Sequence, residues 1–133
     1  MRRWIFAVFL MTVTSGAAIA QSLEIQGTIS RQIEAFRTDD FGTAFSYASP
    51  NIQEMFRNAE NFGRMVRQGY PMVWRPADVR FLALKQLGAF QLQKVMVKDG
   101  NGRFHVLEYE MVQTGIGWQI NGVRLLPAAE LGA

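Results

Sequence analysis

The hydrophobic pattern of the chain changes near residue 76, from a helical spacing to a strand-like alternation. Before that point, apolar residues recur every three or four positions, as they do on the buried face of an amphipathic helix. The spacing predicts four helices. Their apolar stripes are Ile25, Ile29, Ile33 and Phe36; Phe41, Ala44, Phe45 and Ala48; Ile52, Met55 and Phe56; and Phe62, Met65 and Val66.

Residues that commonly cap helices stand at the predicted helix starts. Asp39 and Asp40 precede the second stripe, and Asn58 precedes the fourth. Ser49 followed by Pro50 combines a capping side chain with a proline suited to the first helical turn. These residues predict where the second, third and fourth helices begin.

The connection from the last helix to the following strands contains a glycine and two prolines. Gly69 comes just after the last apolar position, which predicts a left-handed helix end. Pro71 is expected to prevent the helix from continuing. Residues 72–75, which lie before Pro76, are therefore predicted to form a short extended segment.

Apolar and polar residues alternate after Pro76, which predicts four β-strands at residues 79–87, 90–98, 103–113 and 118–126. Turn-forming residues separate them: Gly88-Ala89, Gly100-Asn101 and the loop at residues 114–117. A run of helices followed by an antiparallel meander predicts an α+β fold, with N-terminal helices packed on a curved antiparallel sheet.

Several stretches of the chain resemble a known family. The Asp-Phe-x-x-Ala-Phe opening of the second helix and the segment GWQINGV resemble the nuclear transport factor 2-like superfamily. The longer stretches QIEAFRTDDFGTAFSYASPNIQEMF, NFGRMVRQGYPMVWRP and YEMVQTGIGWQINGVRLL resemble the uncharacterised bacterial family called domain of unknown function 4864. The resemblance implies a cone-shaped α+β fold with a pocket between helices and sheet. It implies no particular reaction, because this superfamily contains isomerases, dehydratases, transport factors and binding modules.

The first twenty residues predict a secretory signal peptide. Arg2 and Arg3 precede an apolar run, and small residues follow, ending in Ala-x-Ala at Ala20. An uncleaved membrane anchor is the alternative, but the apolar run is shorter than the ~20 residues that span a bilayer. We therefore predict cleavage after Ala20, a single domain at residues 21–133, a periplasmic or secreted location, and no stable membrane anchor after cleavage.

Composition narrows the functions to be considered. Removing Arg2 and Arg3 from fourteen basic residues leaves twelve, against eleven acidic residues, so no strongly basic surface for nucleic acid is expected. With one histidine and no cysteine, the chain offers neither disulfides nor the usual ligands of a transition metal. It contains no phosphate loop, dinucleotide fingerprint, nucleophile elbow or zinc-protease motif, so no cofactor is predicted.

Pairing Lys98 with Arg103, and Gln113 with Trp118, predicts two faces for the sheet. The face toward the helices is expected to hold Phe81, Phe90, Leu92, Met96, Leu107, Tyr109, Met111, Trp118, Ile120 and Leu126. The outer face is expected to carry polar residues at one end, including Gln93, Glu108 and Gln119, and an apolar patch at the other. The apolar patch predicts a sheet-to-sheet homodimer, or a face covered by a helix or C-terminal segment. It comprises Leu82, Leu84, Val95, Val97, Phe104, Val106, Val123 and Leu125.

The same pairing places Lys94, His105 and Arg124 on the helix-facing side, where uncompensated charges would be costly. One interpretation is a pocket in which Lys94 and Arg124 hold an anionic ligand and His105 moves a proton. The other is a structural arrangement in which Asp39 and Asp40 pair with these cations.

Aromatic residues near the open end of the predicted cone offer a second group of binding candidates. Tyr70, Trp74 and Arg75 are expected at the pocket rim, where aromatic rings can stack on a small apolar or anionic ligand. Tyr109 is expected to face the pocket, and in a small isomerase or hydro-lyase it would polarise a substrate carbonyl alongside His105 and an acidic residue.

The sequence supports three hypotheses for function. The first is an exported, non-catalytic binding or interaction module. The second is a small isomerase or hydro-lyase that uses His105 as its catalytic residue. The third is a structural protein of the cell envelope.

Overall fold

The computed structural model describes residues 14–127 of the 133-residue chain, and it has the predicted α+β architecture. Residues 1–13 of the predicted leader lie outside the described range. Five helices precede a four-stranded antiparallel sheet with strand order β1-β2-β3-β4. The elements are α1 (Thr14–Arg37), α2 (Phe41–Ser46), α3 (Pro50–Phe56), α4 (Ala59–Gly69), α5 (Pro71–Trp74), β1 (Asp78–Leu87), β2 (Phe90–Lys98), β3 (Phe104–Thr114) and β4 (Gly117–Leu125).

Helix α1 packs its apolar stripe against the sheet. Ile25 and Ile29 are fully buried, and Ile33 and Phe36 are nearly so. The side chains described between Gly16 and Ala20 are all exposed. The predicted stripe is therefore confirmed, and the buried part of α1 starts beyond residue 20. Within residues 14–127, no helix combines the length and apolar content that crossing a membrane requires.

Three predicted caps are confirmed at the starts of α2, α3 and α4. Asp40 accepts a hydrogen bond from the backbone N–H of Thr43, and Asn58 accepts one from that of Asn61. Ser49 directly precedes Pro50, the first residue of α3, and its Oγ accepts a hydrogen bond from the backbone N–H of Ile52. Each cap satisfies one backbone donor in a first turn that has no intrahelical partner.

The connection between helices and sheet differs from its prediction. Gly69 ends α4 without a left-handed conformation, since it is not among the residues with positive φ. Pro71 then starts the one-turn helix α5 instead of an extended segment. The physical reason is that the fixed φ of proline also suits a first helical position. Met72 and Val73 are buried as a result.

The β2–β3 register is shifted by one residue from its prediction. Lys98 pairs with Phe104, not Arg103, because the connecting loop takes in residues 99–103. Asp99 stabilises that loop by accepting hydrogen bonds from the backbone N–H groups of Asn101 and Arg103, both at 2.9 Å. A one-residue shift turns every side chain of a strand to the other face.

The shift reverses the predicted faces of β2. Val95 and Val97, predicted on the outer face, are fully buried on the helix-facing side. Gln93 is buried there too, and its Nε2 donates to Leu82 O at 3.0 Å. The residues predicted to face the helices but found on the opposite side are Phe90, Leu92 and Met96, which pair with Val112, Glu110 and Val106.

Two β-bulges cause the remaining differences. The predicted pair Gln113–Trp118 is confirmed, and Trp118 and Ile120 face the core. A bulge opposite Glu110 and Met111 then shifts β4 by one residue, so Val123 packs against the core. The shift also places Leu125 opposite Leu107, on the helix-facing side, and Leu126 on the other side, the reverse of their predicted faces.

The second bulge lies in β1, between Phe81 and Leu84, and turns Leu84 toward the core. Of the predicted interface, Leu82, Phe104 and Leu125 are exposed, whereas Val106 is buried. Homodimerisation through the outer face stays a prediction. Fewer of the residues proposed for the interface lie on that face than expected.

The segment from Tyr47 to Ser49 covers the free edge of β4. Ile120 N donates to Tyr47 O at 2.9 Å, and Ser49 N donates to Ile120 O at 2.8 Å. Gln119, predicted on a polar surface, is instead buried, and its Nε2 donates to Ser46 O and Ala48 O. These bonds satisfy edge groups that would otherwise be open to pairing with another chain, and they bring Ala48 to the helix–sheet interior.

Candidate ligand pocket

The three polar residues predicted to form an anion site lie on two faces of the sheet. Lys94 pairs with Glu108, and Glu108 pairs with Arg124, on the face away from the helices. The Arg124 Nη2 atom lies 2.6 Å from Glu108 Oε1. The predicted placement of Lys94 and Arg124 beside His105 is therefore wrong, because the loop at residues 99–103 and the β4 bulge each shift the register.

His105 is the second residue of β3, and its side chain contacts the β2–β3 loop rather than a cavity. Its Nε2 lies 2.8 Å from Asp99 Oδ2. This bond, together with the backbone N–H groups of Arg103 and Asn101, holds the pKa of Asp99 below its ordinary value. His105 and Asp99 thus fix the loop that sets the register of β2 against β3.

Trp74 and Arg75, predicted at the pocket rim, hold α5 against the end of α1. Trp74 Nε1 and Arg75 Nη2 each lie 2.9 Å from Asp39 Oδ1. These hydrogen bonds, that of Trp74 first, lower the pKa of Asp39. Arg75 also donates to Phe36 O. Asp39 therefore has a structural role with these two residues.

A cavity of about 390 Å³ lies between the helices and the sheet. Its volume falls within the range of small-molecule sites, about 300–1,000 Å³. Most of its lining is apolar. The helices contribute Gln32, Phe36, Ile52, Met55, Phe56, Phe62, Met65, Val66 and Val73, and the remaining lining residues are Ala48, Tyr70, Tyr109, Ile120, Gly122 and Val123.

The short helix α3 forms one side of this cavity and none of its residues is buried. Met55, which lines the cavity, is 64% exposed, so it stands at the mouth. Ala48 is buried but small, and it contributes little volume at the opposite wall. Because protein interiors are normally packed to high density, a space of this size within an apolar layer distinguishes a pocket from an ordinary core.

The polar members of the lining, Gln32, Tyr70 and Tyr109, are all uncharged. Gln32 Nε2 donates to Ala44 O at 3.1 Å, and the Tyr70 hydroxyl donates to Val123 O at 3.1 Å. The Tyr109 hydroxyl is buried and has no hydrogen-bond partner within residues 14–127. Burial, with a smaller contribution from Tyr70, raises the Tyr109 pKa well above its ordinary value, so the phenol stays neutral.

Sequence reasoning identified two lining residues, Tyr70 and Tyr109, as ligand-binding candidates and missed most of the others. It placed Ile52, Met55 and Phe56 inward, but as packed core. The family resemblance implied a cavity, and no spacing of residues in the sequence indicated one.

Across residues 14–127, no group of three or more histidine, aspartate or glutamate side chains is arranged to hold a metal ion. The lining of the cavity is instead suited to contacts with uncharged groups.

A comparison with family models agrees with the resemblance to the uncharacterised family. A family model described as "Domain of unknown function (DUF4864)" matches residues 18–133. Neither the curated proteins nor the solved structures gave a match. Since the matched region covers nearly all of the chain and the whole helix–sheet layer, the chain belongs to the DUF4864 family.

Proposed function

We propose that this domain is a non-catalytic binding module whose cavity takes a small, uncharged and largely apolar molecule. The observation that carries the proposal is the cavity of about 390 Å³ with an apolar lining and uncharged polar members. An apolar ligand in the cavity would remove its own apolar surface and that of the lining from water. This burial contributes a favourable free energy of about 25 cal/mol per Å² of apolar area. A charged ligand would lose its hydration without a compensating ion pair in the lining.

The position of His105 gives no support to the alternative of a histidine-centred isomerase. His105 lies outside the cavity lining and bonds to Asp99. The general acid or base of such an enzyme must come within hydrogen-bond reach of its substrate. The binding-module proposal needs no such group.

The layer arrangement supports a further proposal, that the domain is a member of the nuclear transport factor 2-like superfamily. Helices precede a meandering antiparallel sheet and enclose a cavity with it. A profile comparison that failed to align residues 40–45 and 117–123 with known members would remove this assignment.

The cavity-filling substitution Ala48→Leu is expected to weaken binding of an apolar probe by at least about tenfold, because the added carbon atoms occupy probe volume. The measurement is the fluorescence titration of the mature protein with N-phenyl-1-naphthylamine. Ala77→Leu, at an exposed alanine before β1, is the matched control and should bind like the wild type. If Ala48→Leu and Ala77→Leu bound the probe with equal affinity, or if the wild type did not bind it, the proposal would be contradicted.

A label at the cavity mouth gives a second readout that does not depend on a core substitution. The sequence has no cysteine, so Met55→Cys offers a unique site for a bimane label. Because Met55 is 64% exposed, the change should not disturb the fold. The probe should change the bimane emission at position 55 and leave a label at Leu23→Cys, on the exposed side of α1, unchanged.

We also propose that the protein is exported and that the mature chain begins at Gln21. The exposure of the described side chains from Gly16 to Ala20 supports this, because cleavage would remove no buried residue from that part of α1. Mass spectrometry of the periplasmic fraction of the expressing bacterium should find Gln21 as the first residue. Recovery of the uncleaved chain from the cytoplasm alone would be incompatible with export.

A further inference from the structure

Tyr109 lines the cavity and carries a buried hydroxyl group. Its side chain is fully buried in the middle of β3, and its hydroxyl has no hydrogen-bond partner among the residues described. More than nine in ten buried polar groups in native proteins have a partner, and an unpaired one is costly. A structural role in the apolar layer would be served equally well by phenylalanine, so the hydroxyl requires another explanation.

The other polar groups of the lining are engaged with the protein. The Tyr70 hydroxyl donates its proton to Val123 O, and Gln32 Nε2 donates to Ala44 O. The Tyr109 hydroxyl is therefore the buried polar side-chain group of the lining that has no partner among the described residues, so its proton could be donated to a molecule in the cavity. Since burial keeps this phenol protonated, it remains a donor at any physiological pH.

Aromatic rings surround the same space. Phe62 lies in the lining with Phe36 at 6.0 Å and Phe56 at 5.8 Å between ring centroids. Phe36 stacks on Phe62 and Phe56 meets it edge to face, so the helices give the cavity an aromatic surface with which a flat apolar ring could pair in either geometry.

We propose that Tyr109 is the polar anchor of the site and that the ligand is an uncharged, flat, apolar molecule carrying a hydrogen-bond acceptor such as a ketone, aldehyde or ester carbonyl. This inference rests on the proposed binding function and specifies its ligand class. The carbonyl oxygen accepts the Tyr109 proton, which satisfies a donor left unpaired in the empty protein. A carboxylate is disfavoured because the polar side chains of the lining are neutral and the lining provides no cation among the described residues.

The test compares three related probes, naphthalene, 2-acetylnaphthalene and 2-naphthoate, in competition with N-phenyl-1-naphthylamine. The wild type should bind 2-acetylnaphthalene about tenfold more tightly than naphthalene, because only the ketone pairs the buried donor. In Tyr109→Phe the two should bind equally. 2-Naphthoate should compete more weakly than naphthalene with both proteins.

Tyr47→Phe is the matched control, because it removes a tyrosine hydroxyl that lies outside the cavity lining. It should keep the preference for the ketone. Tyr109→Phe should unfold at the same or a higher temperature than the wild type, so that a loss of preference cannot be attributed to a damaged fold.

The outcomes separate this inference from the proposed function. If the wild type binds naphthalene and the ketone equally, or if Tyr109→Phe keeps the preference, the anchor role is overturned while the binding function stands. Tighter binding of 2-naphthoate than of the ketone would likewise overturn it. If no probe binds the wild type, the proposed function itself fails.

Discussion

Replacing Ile29 by alanine is expected to lower the free energy of unfolding by about 2–5 kcal/mol. Ile29 is fully buried in the centre of the apolar stripe with which α1 packs on the sheet. The substitution removes buried apolar atoms and leaves a cavity, and both effects are unfavourable. Since small domains are stable by about 5–15 kcal/mol, the loss would be a large part of the total.

Urea denaturation followed by circular dichroism measures this effect on the mature chain. Leu23→Ala is the matched control, since Leu23 lies on the same helix but is 63% exposed; its effect should stay within about 0.5 kcal/mol. If Ile29→Ala and Leu23→Ala lower the free energy of unfolding by the same amount, α1 does not pack on the sheet through the face that carries Ile29.

Replacing Gly63 by alanine is expected to destabilise the protein by about 1–3 kcal/mol, although alanine normally stabilises a helix relative to glycine. A Cβ at position 63 would lie 2.7 Å from Cγ and Cδ1 of the Phe41 ring. The ring is itself confined, because Phe36 lies 6.1 Å away and the Arg67 guanidinium stacks over it. The clash therefore outweighs the gain in helix propensity.

A second substitution that removes the Phe41 ring should turn the effect of Gly63→Ala from destabilising to stabilising. In a Phe41→Ala background, Gly63→Ala should stabilise the protein by about 0.5–1 kcal/mol, the ordinary helix effect. Gly42→Ala in α2, where the nearest atom to the added Cβ is 3.8 Å away, should be neutral or slightly stabilising in the wild type. A stabilising Gly63→Ala in the wild type would show that α4 does not approach Phe41 this closely.

Helices α1 to α4 and the strand limits could be predicted because local sequence determines them, whereas α5 was not predicted. The spacing of Ile25, Ile29 and Ile33 places one face of α1 inward whatever it packs against, and Ser49 and Asn58 cap their helices through nearby backbone groups. The turn residues likewise predicted where each strand begins and ends, to within one residue of the observed positions.

The strand faces could not be predicted reliably, because they depend on single residues in loops and bulges. The carboxylate of Asp99 stabilises a loop that includes Arg103, which shifts β2 by one residue. The bulge in β4 likewise moves Arg124 to the outer face. The predicted grouping of Lys94, His105 and Arg124 depended on the register at both places.

The cavity was implied only by resemblance, because a sequence does not reveal whether apolar residues meet or leave a space. Ile52 and Phe56 face inward as predicted, yet they line a cavity instead of closing it. Tyr109 faces the helices as predicted. Its role in binding stays a prediction, as does that of Tyr70.

The most direct test of the binding function is a crystal structure of the mature protein grown with 2-bromonaphthalene, in which anomalous scattering locates the bromine. We predict a bromine peak inside the cavity, within contact distance of Phe62, Val66 or Tyr109. A peak only on the outer face of the sheet, or a cavity filled by its own side chains, would contradict the account.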